Sequence, residues 1–199
     1  MKMFLFGALM MTLFFLAIFV GLDWIGRSPR HDAAGPNELY LQALSASAEI
    51  AANPPVGGAR EAEWIQRVQD AFSPFSVENV RANFPKAYAE AFYFRDAFHV
   101  FTELEPMLAY MVKTAEASPG VTFEFEAPAR RGADFYLPWV MVLPIRDGDG
   151  EQRSIGISHL RFNEEGKVIF HQDYWDSSDV LVERVPVANG LIETVRRRF

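Results

Sequence analysis

The chain has 199 residues, which gives room for one domain of ordinary size, about 100–200 residues, with an anchor and a tether. Its composition is 50% hydrophobic and 14% aromatic, which provides the apolar area of a folded core and excludes a wholly disordered chain. The net charge of -7 argues against nucleic acid as a partner, because nucleic-acid binding depends on clustered Lys and Arg, and the absence of Cys excludes disulfides, thiolate nucleophiles and Cys-ligated zinc.

A hydrophobic segment without charged residues occupies residues 3–22 and reads MFLFGALMMTLFFLAIFVGL. A helix of about 20 residues crosses a hydrocarbon layer about 30 Å thick, and Trp24 follows at the depth of the interface. A cleaved signal peptide is the alternative, but its apolar core is usually shorter, and no small-x-small cleavage site precedes Asp23. We therefore predict a single-pass transmembrane anchor over residues 1–24, with the cell membrane as the location and the lipid bilayer as a partner through residues 3–22.

The orientation of this anchor stays open. Lys2 on one side and Arg27 and Arg30 on the other nearly balance under the positive-inside rule, with the periplasmic side slightly favoured for the main domain.

Residues 25–72 are predicted to form a linker and a helical spacer. Residues 28–37 mix Pro, Gly and polar residues without periodicity, as linkers do, and Asn37 can cap a helix over residues 38–52. Residues 61–72 repeat apolar side chains at helical spacing, with one face formed by Trp64, Ile65, Val68 and Phe72. This segment either spaces the main domain from the membrane or contributes helices that cover the domain.

The main domain is predicted to begin with helices and one strand. Ser76 can cap a helix that Pro85 ends or bends. Residues 91–99 alternate in the manner of a short strand. Thr102 and Glu105 then form a T-x-x-E capping box before a second helix, whose apolar stripe runs through Leu104, Met107, Leu108 and Met111.

Strands separated by turn signals follow Gly120. They are predicted over residues 121–127, 134–145, 153–162 and 167–175, with turns at DGDG (147–150) and NEEG (163–166). Because hairpins follow helices without a βαβ rhythm, the sequence predicts an α+β fold over residues 73–199, with a curved antiparallel sheet against helices.

Two sequence blocks carry a resemblance to a known superfamily. They read FYFRDAFHVFTELEPMLAYM (92–111) and HLRFNEEGKVIFHQDYWD (159–176). With the order of elements, they resemble the nuclear-transport-factor-two-like (NTF2-like) superfamily, particularly its SnoaL-like branch, across residues 73–177. The resemblance implies a cone-like α+β barrel with a pocket. It spans ketosteroid isomerases, polyketide cyclases, epoxide hydrolases, dehydratases and non-catalytic subunits, so it does not fix a reaction. The loop HVFTEL lacks the glycine common in that family.

The last predicted strand supplies the first catalytic candidates. Alternation places Ile169, His171, Asp173 and Trp175 on one face. An ionised carboxylate among apolar groups is costly, which suits a base that removes a proton next to a carbonyl, and an adjacent His can orient it or shuttle the proton. The pattern resembles the acid/base machinery of SnoaL-like cyclases and ketosteroid isomerases, so Asp173 is the first candidate for a base and His171 the second. The alternative is that both satisfy buried hydrogen bonds across the strands or to Arg161.

Three further polar residues are candidates with structural alternatives. Asp96 lies where the family places a strand aspartate and is the third catalytic candidate, although such an acid often serves the backbone of a nearby helix. His159 and Arg161 are predicted to contact a ligand, with Arg161 holding a carboxylate or enolate. An ordinary cross-strand ion pair is the alternative for these two.

The predicted apolar ligand contacts are Trp175, Trp139, Phe94 and Phe123, for which core packing is the alternative. A metal site of His171, Asp173, Asp176 and His159 is not predicted, because their spacing matches no known metal motif. No cofactor is predicted either, since the chain has no Walker loop or dinucleotide fingerprint.

Two functions follow from these patterns. The first is a cofactor-free isomerase, cyclase or hydratase acting on a lipophilic carbonyl compound, with Asp173 as base and His171, Asp96 or a Tyr hydroxyl stabilising the developing negative charge. The second is a non-catalytic module that binds a small lipophilic ligand or a partner protein, with the sheet as a homodimer surface.

Overall fold

The computed structural model describes residues 34–145 and 150–178, together with residues 194, 197 and 198. The predicted anchor over residues 3–22 and most of the predicted turn over residues 147–150 lie outside these ranges. None of the described helices is long and apolar enough to cross a membrane. The described residues from Tyr40 to Ser178 belong to one compact unit.

Four helices lie in the described ranges: α1 Ala34–Ile50, α2 Ala59–Phe72, α3 Val77–Ala87 and α4 Leu104–Ala117. Each overlaps a segment that the sequence predicts to be helical. The helix α1 begins at Ala34, before the predicted cap at Asn37. The helix can include Pro36, because this residue lies in the first turn, where the missing N–H costs no helical hydrogen bond. The helix α3 continues past Pro85 to Ala87, since a proline this close to the end removes only one helical hydrogen bond.

The strands of the described chain form one sheet: β1 Tyr88–Arg95, β2 Val100–Glu103, β3 Thr122–Phe125, β4 Ala129–Arg131, β5 Asp134–Pro144, β6 Glu151–Phe162 and β7 Val168–Trp175. Their order is β2-β1-β7-β6-β5-β3, and β4 also pairs with β5. The pairs β5–β6 and β6–β7 are antiparallel, as predicted. The prediction of a wholly antiparallel sheet is wrong, because β1 and β7 pair in parallel and the sheet is mixed. Alternation along one strand does not specify the direction of a partner so distant in sequence.

The predicted strand over residues 91–99 is displaced. It begins at Tyr88 and ends at Arg95, because the Asp96 side chain closes a turn by accepting hydrogen bonds from the backbone N–H groups of Phe98 and His99, both at 2.7 Å. The chain then returns antiparallel as β2. The strand β4 was not predicted, because three residues are too few to show alternation.

The two predicted helix caps differ in outcome. Ser76 caps α3, since its hydroxyl oxygen accepts a hydrogen bond from the Asn79 N–H at 3.2 Å. The capping box of Thr102 and Glu105 is not formed. The helix α4 follows Glu103 without a side-chain cap, because Thr102 belongs to β2.

The core lies between the helices α2, α3 and α4 and one face of the sheet. On α2 the predicted apolar face is buried, and the Trp64 ring lies 5.5 Å from the ring of Phe162. The helix α2 therefore packs into the core of the main domain. On the opposite face of the sheet, the Tyr40 ring of α1 lies 5.8 Å from Phe170.

Candidate functional site

A cavity of about 420 Å³ lies between α2, α4 and the sheet. Its wall is mostly apolar, and it includes all four aromatic residues predicted to contact a ligand: Trp175, Trp139, Phe94 and Phe123. The wall is exposed at Phe98, His99 and Lys113, which marks the opening. Small-molecule sites usually measure about 300–1,000 Å³, so the cavity suits a small organic molecule.

Polar side chains reach this cavity from β6, β7, α4 and the turn after β1. The three predicted catalytic residues, Asp173, His171 and Asp96, line it, and so do Ser158 and Tyr110. Asp173 and His171 share a face because they are two residues apart on β7, as predicted. Ser158 joins them because the β6–β7 register pairs it directly with Asp173.

The carboxylate of Asp173 is held through one oxygen. Its Oδ1 accepts hydrogen bonds from His171 Nε2–H at 2.7 Å and from the Ser158 hydroxyl at 2.5 Å, and Ser158 in turn accepts one from the Trp139 indole at 2.9 Å. The other oxygen, Oδ2, accepts no hydrogen bond from the residues that the structure describes. Since the side chain is only 12% exposed, Asp173 presents one oriented and uncommitted acceptor in largely apolar surroundings.

The partner of the other ring nitrogen fixes the tautomer of His171. The Tyr88 hydroxyl lies 2.6 Å from His171 Nδ1, and the two residues are 0% and 1% exposed. If Nδ1 carried a proton, the phenolic hydrogen would have no acceptor among the described residues, at a cost of about 1–3 kcal/mol. We therefore assign Tyr88 as the donor to Nδ1 and Nε2–H as the donor to Asp173. Burial, and next the charge of Asp173, raise the pKa of Tyr88, which keeps its hydroxyl protonated.

Asp96 is engaged in local structure. Its Oδ1 accepts the two backbone hydrogen bonds of the turn after β1, and its Oδ2 accepts one from the Tyr110 hydroxyl at 2.6 Å. Burial, and next the hydrogen bond to Asp96, raise the pKa of Tyr110, so this phenol remains protonated. The geometry favours the structural alternative for Asp96, and its catalytic role stays a prediction.

His159 and Arg161 do not line the cavity. They alternate on β6 with Ser158 and therefore lie on the opposite face, where His159 Nε2 is 2.7 Å and Arg161 Nε 2.6 Å from Asp134 Oδ1. Arg161 thus forms an ion pair with Asp134, and His159 hydrogen-bonds to the same carboxylate oxygen. Burial lowers the pKa of His159, although Asp134 opposes this shift. Burial alone would raise the pKa of Asp134, but hydrogen bonds from Arg161 and His159 outweigh burial and lower it.

Residues 34–145 and 150–178 contain no group of three His, Asp or Glu side chains that could hold a metal ion. Of the four residues weighed for such a site, His171 and Asp173 bond to each other and His159 lies on the other face. Asp176 accepts a hydrogen bond from the Ser178 N–H.

Three residues of this site were absent from the sequence interpretation. Ser158 was not within reach of the sequence, because a register shift between Arg161 and Phe162, which the turn over residues 163–166 does not reveal, sets its pairing with Asp173. Tyr88 was not either, since it meets His171 through the parallel β1–β7 pair. Tyr110 lies on the predicted helix, but only the turn at Asp96 brings the two together.

Comparison of the sequence with protein-family models and with curated proteins finds no match. Comparison of the structure does. A putative isomerase of the SnoaL-like family from Agrobacterium tumefaciens is 20% identical, with a TM-score of 0.50 over 60% of this chain and 99% of that chain. A putative SnoaL-like polyketide cyclase from Jannaschia is 11% identical, with a TM-score of 0.53 over 65% of this chain and 96% of that one.

An NTF2-like protein of unknown function from Burkholderia pseudomallei is 10% identical, with a TM-score of 0.52 over 63% of this chain and 98% of that one. Identities this low establish the fold and not the activity. The chain therefore has the α+β fold with a curved mixed sheet that SnoaL-like and NTF2-like proteins share.

Proposed function

We propose that the cavity binds a small lipophilic molecule and that Asp173 acts there as a general base, as in a cofactor-free isomerase or cyclase. The observation that carries this proposal is the uncommitted Oδ2 of Asp173 on the wall of an apolar cavity. A base needs an acceptor atom that reaches the ligand and makes no bond within the protein, and Oδ2 meets this requirement among the described residues. The engaged oxygen, Oδ1, holds the group in one orientation.

Each neighbour has a defined part in this scheme. His171 and Ser158 orient the carboxylate, and Tyr88 holds His171 with its Nε2–H directed at Asp173. The base takes a proton from a carbon of the ligand through Oδ2. Return of that proton to a different carbon gives an isomer, and attack of the carbon nucleophile on a second group of the same molecule gives a ring.

Hydrogen exchange with solvent tests this proposal without knowledge of the natural substrate. The detergent-extracted full-length chain is incubated in deuterated water with a panel of cyclic ketones and cyclic imines, and deuterium uptake is read by mass spectrometry. Exchange of at least one member should be accelerated, and Asp173→Asn should slow it by about 100-fold or more, the usual contribution of a general base. Asp70→Asn is the matched control, because Asp70 is exposed and does not line the cavity. Equal rates for Asp173→Asn and the wild type would refute the role of this base.

A non-catalytic binding module is the second candidate. The hydrogen bonding of Asp96 favours it, because the two oxygens of Asp96 accept three hydrogen bonds from the protein. Asp173 is then the one carboxylate of the described wall with an oxygen that accepts no hydrogen bond. Binding of a panel member without acceleration of its exchange is the result that this alternative expects.

We propose further that residues 3–22 anchor the chain in the cell membrane, with the main domain on the periplasmic side. The support is the length and the uncharged composition of the segment. The full chain should stay in the membrane fraction after an alkaline carbonate wash, and a chain lacking residues 1–24 should not. Release of the full chain by the wash would contradict the proposal.

A further inference from the structure

We infer that the ligand of this cavity is a small lipophilic cation, a protonated amine or an iminium ion, whose charge pairs with Asp173. The inference rests on the proposed function in one respect, that the cavity around Asp173 is the ligand site. It names the class of substrate that the site accepts.

The charges of the wall are unbalanced. Asp96 and Asp173 are both carboxylates of the described wall, and Lys113, exposed at the opening, is its sole Lys or Arg side chain. The basic side chain beside Asp173 is His171, which accepts a hydrogen bond from Tyr88 at Nδ1 and so carries its hydrogen on Nε2. A largely buried carboxylate is thus left without a compensating cation among the described residues, an arrangement that costs free energy until a cation arrives.

The donors that bond to Asp173, Ser158 and Asp96 are already used. His171 Nε2–H and the Ser158 hydroxyl both donate to Asp173, and the Trp139 indole donates to Ser158. The Tyr110 hydroxyl donates to Asp96. These groups therefore have no hydrogen to give to a ligand anion, whereas Asp173 Oδ2 can accept one from a ligand cation.

Aromatic rings line the same cavity as Asp173. Trp139 is joined to Asp173 through Ser158, and the Trp175 ring lies 6.3 Å from the ring of Trp139 and 5.9 Å from that of Phe98. Aromatic faces attract organic cations through their quadrupole, and they exclude water from the pair. The wall thus combines a buried carboxylate with aromatic faces, a combination that recognises alkylammonium groups.

A cationic substrate also suits proton abstraction in this cavity. When Oδ2 takes a proton from the carbon next to an iminium group, the C–H bond breaks and its electron pair forms a C=C bond. The electron pair of the C=N bond moves onto nitrogen. The products are a neutral enamine and a neutral carboxylic acid, so no negative charge develops on the ligand and no oxyanion donor is needed.

Isothermal titration of three compounds with one carbon skeleton tests the inference. Cyclohexylmethylamine, which is protonated at neutral pH, should bind the detergent-extracted full chain about tenfold or more tightly than cyclohexylmethanol, as expected for a hydrogen bond between charged groups, and cyclohexanecarboxylate should bind most weakly. Asp173→Asn should abolish the preference for the amine, and Asp70→Asn should retain it. The wild-type comparison alone is decisive if Asp173→Asn does not fold.

Two results overturn the inference. One is binding of the alcohol or the carboxylate as tight as that of the amine, and the other is an amine affinity unchanged in Asp173→Asn. The exchange experiment separates this failure from that of the proposed function. If the alcohol binds best while Asp173→Asn still slows exchange, the base stands and the cation inference falls. If Asp173→Asn changes neither binding nor exchange, both fall.

Discussion

Gly156 packs against the indole of Trp139, which donates a hydrogen bond to Ser158 in the site. The substitution Gly156→Ala therefore tests the described geometry. A Cβ at this position would lie 2.2 Å from the nearest ring carbon of Trp139, whereas ordinary contact begins at 3.4 Å. The difference, 3.4 − 2.2, requires the ring to move by about 1.2 Å. Such a shift would stretch the 2.9 Å hydrogen bond from Trp139 to Ser158 beyond bonding range.

The expected loss of stability has two parts. Overpacking a buried site costs about 1–3 kcal/mol, and Trp139 is 5% exposed, with its ring 5.7 Å from that of Phe123, so it has little room to move. The lost hydrogen bond adds about 0.5–1.5 kcal/mol. Urea unfolding of Gly156→Ala should therefore show a stability lower by about 1.5–4.5 kcal/mol.

The sign of the effect is what makes the test informative. Without the contact, replacing Gly by Ala inside a strand should stabilise the chain by about 0.5–1 kcal/mol, because Gly loses more backbone entropy on folding. The matched control is the same substitution with Trp139→Leu, which removes the ring, so that Gly156→Ala should cost nothing in that background. Unchanged or increased stability of the single variant Gly156→Ala would contradict the packing of Trp139 against Gly156.

Three further predictions concern the hydrogen-bonded groups. Tyr88→Phe removes the hydrogen bond that holds His171 in place, so Asp173 loses an oriented donor and the affinity for cyclohexylmethylamine should fall by about tenfold, as titration calorimetry would show; unchanged affinity contradicts the positioning role of Tyr88. Asp96→Ala removes the acceptor of three hydrogen bonds and should lower the unfolding free energy by about 2–4 kcal/mol in urea. Burial lowers the pKa of His159 in the folded chain, so as the pH drops below 6.5 the unfolded chain gains a proton before the folded chain does. The free energy of unfolding should therefore fall, and the urea midpoints of His159→Gln should show a weaker fall between pH 7.5 and 5.

The sequence predicts those features that depend on local periodicity. Alternation on β7 places His171 and Asp173 on one face, and the apolar spacing on α2 places Trp64 in the core, because the pleat and the helical repeat determine these directions. Of the side chains predicted to contact a ligand, the four aromatic ones line the cavity, and His159 and Arg161 do not.

The features that escape the sequence depend on pairing between distant segments. The parallel pair β1–β7 brings Tyr88 to His171, and no local signal specifies that direction. Arg161 could face either side of β6 until the register of the sheet was known, and it lies outside the cavity against Asp134. The lack of a compensating cation for Asp173 among the described residues likewise depends on the hydrogen bonds of its neighbours. Alternation along a strand does not specify those bonds.

A crystal structure of the chain with cyclohexylmethylamine would show whether Asp173 binds a cation. We expect the amine in the cavity beside Trp139 and Trp175, with its nitrogen about 2.7–2.9 Å from Asp173 Oδ2. Asp173 Oδ1 should keep its bonds to His171 and Ser158. A cavity filled by the chain's own side chains, or an Asp173 whose two oxygens are both bonded within the protein, would contradict this expectation.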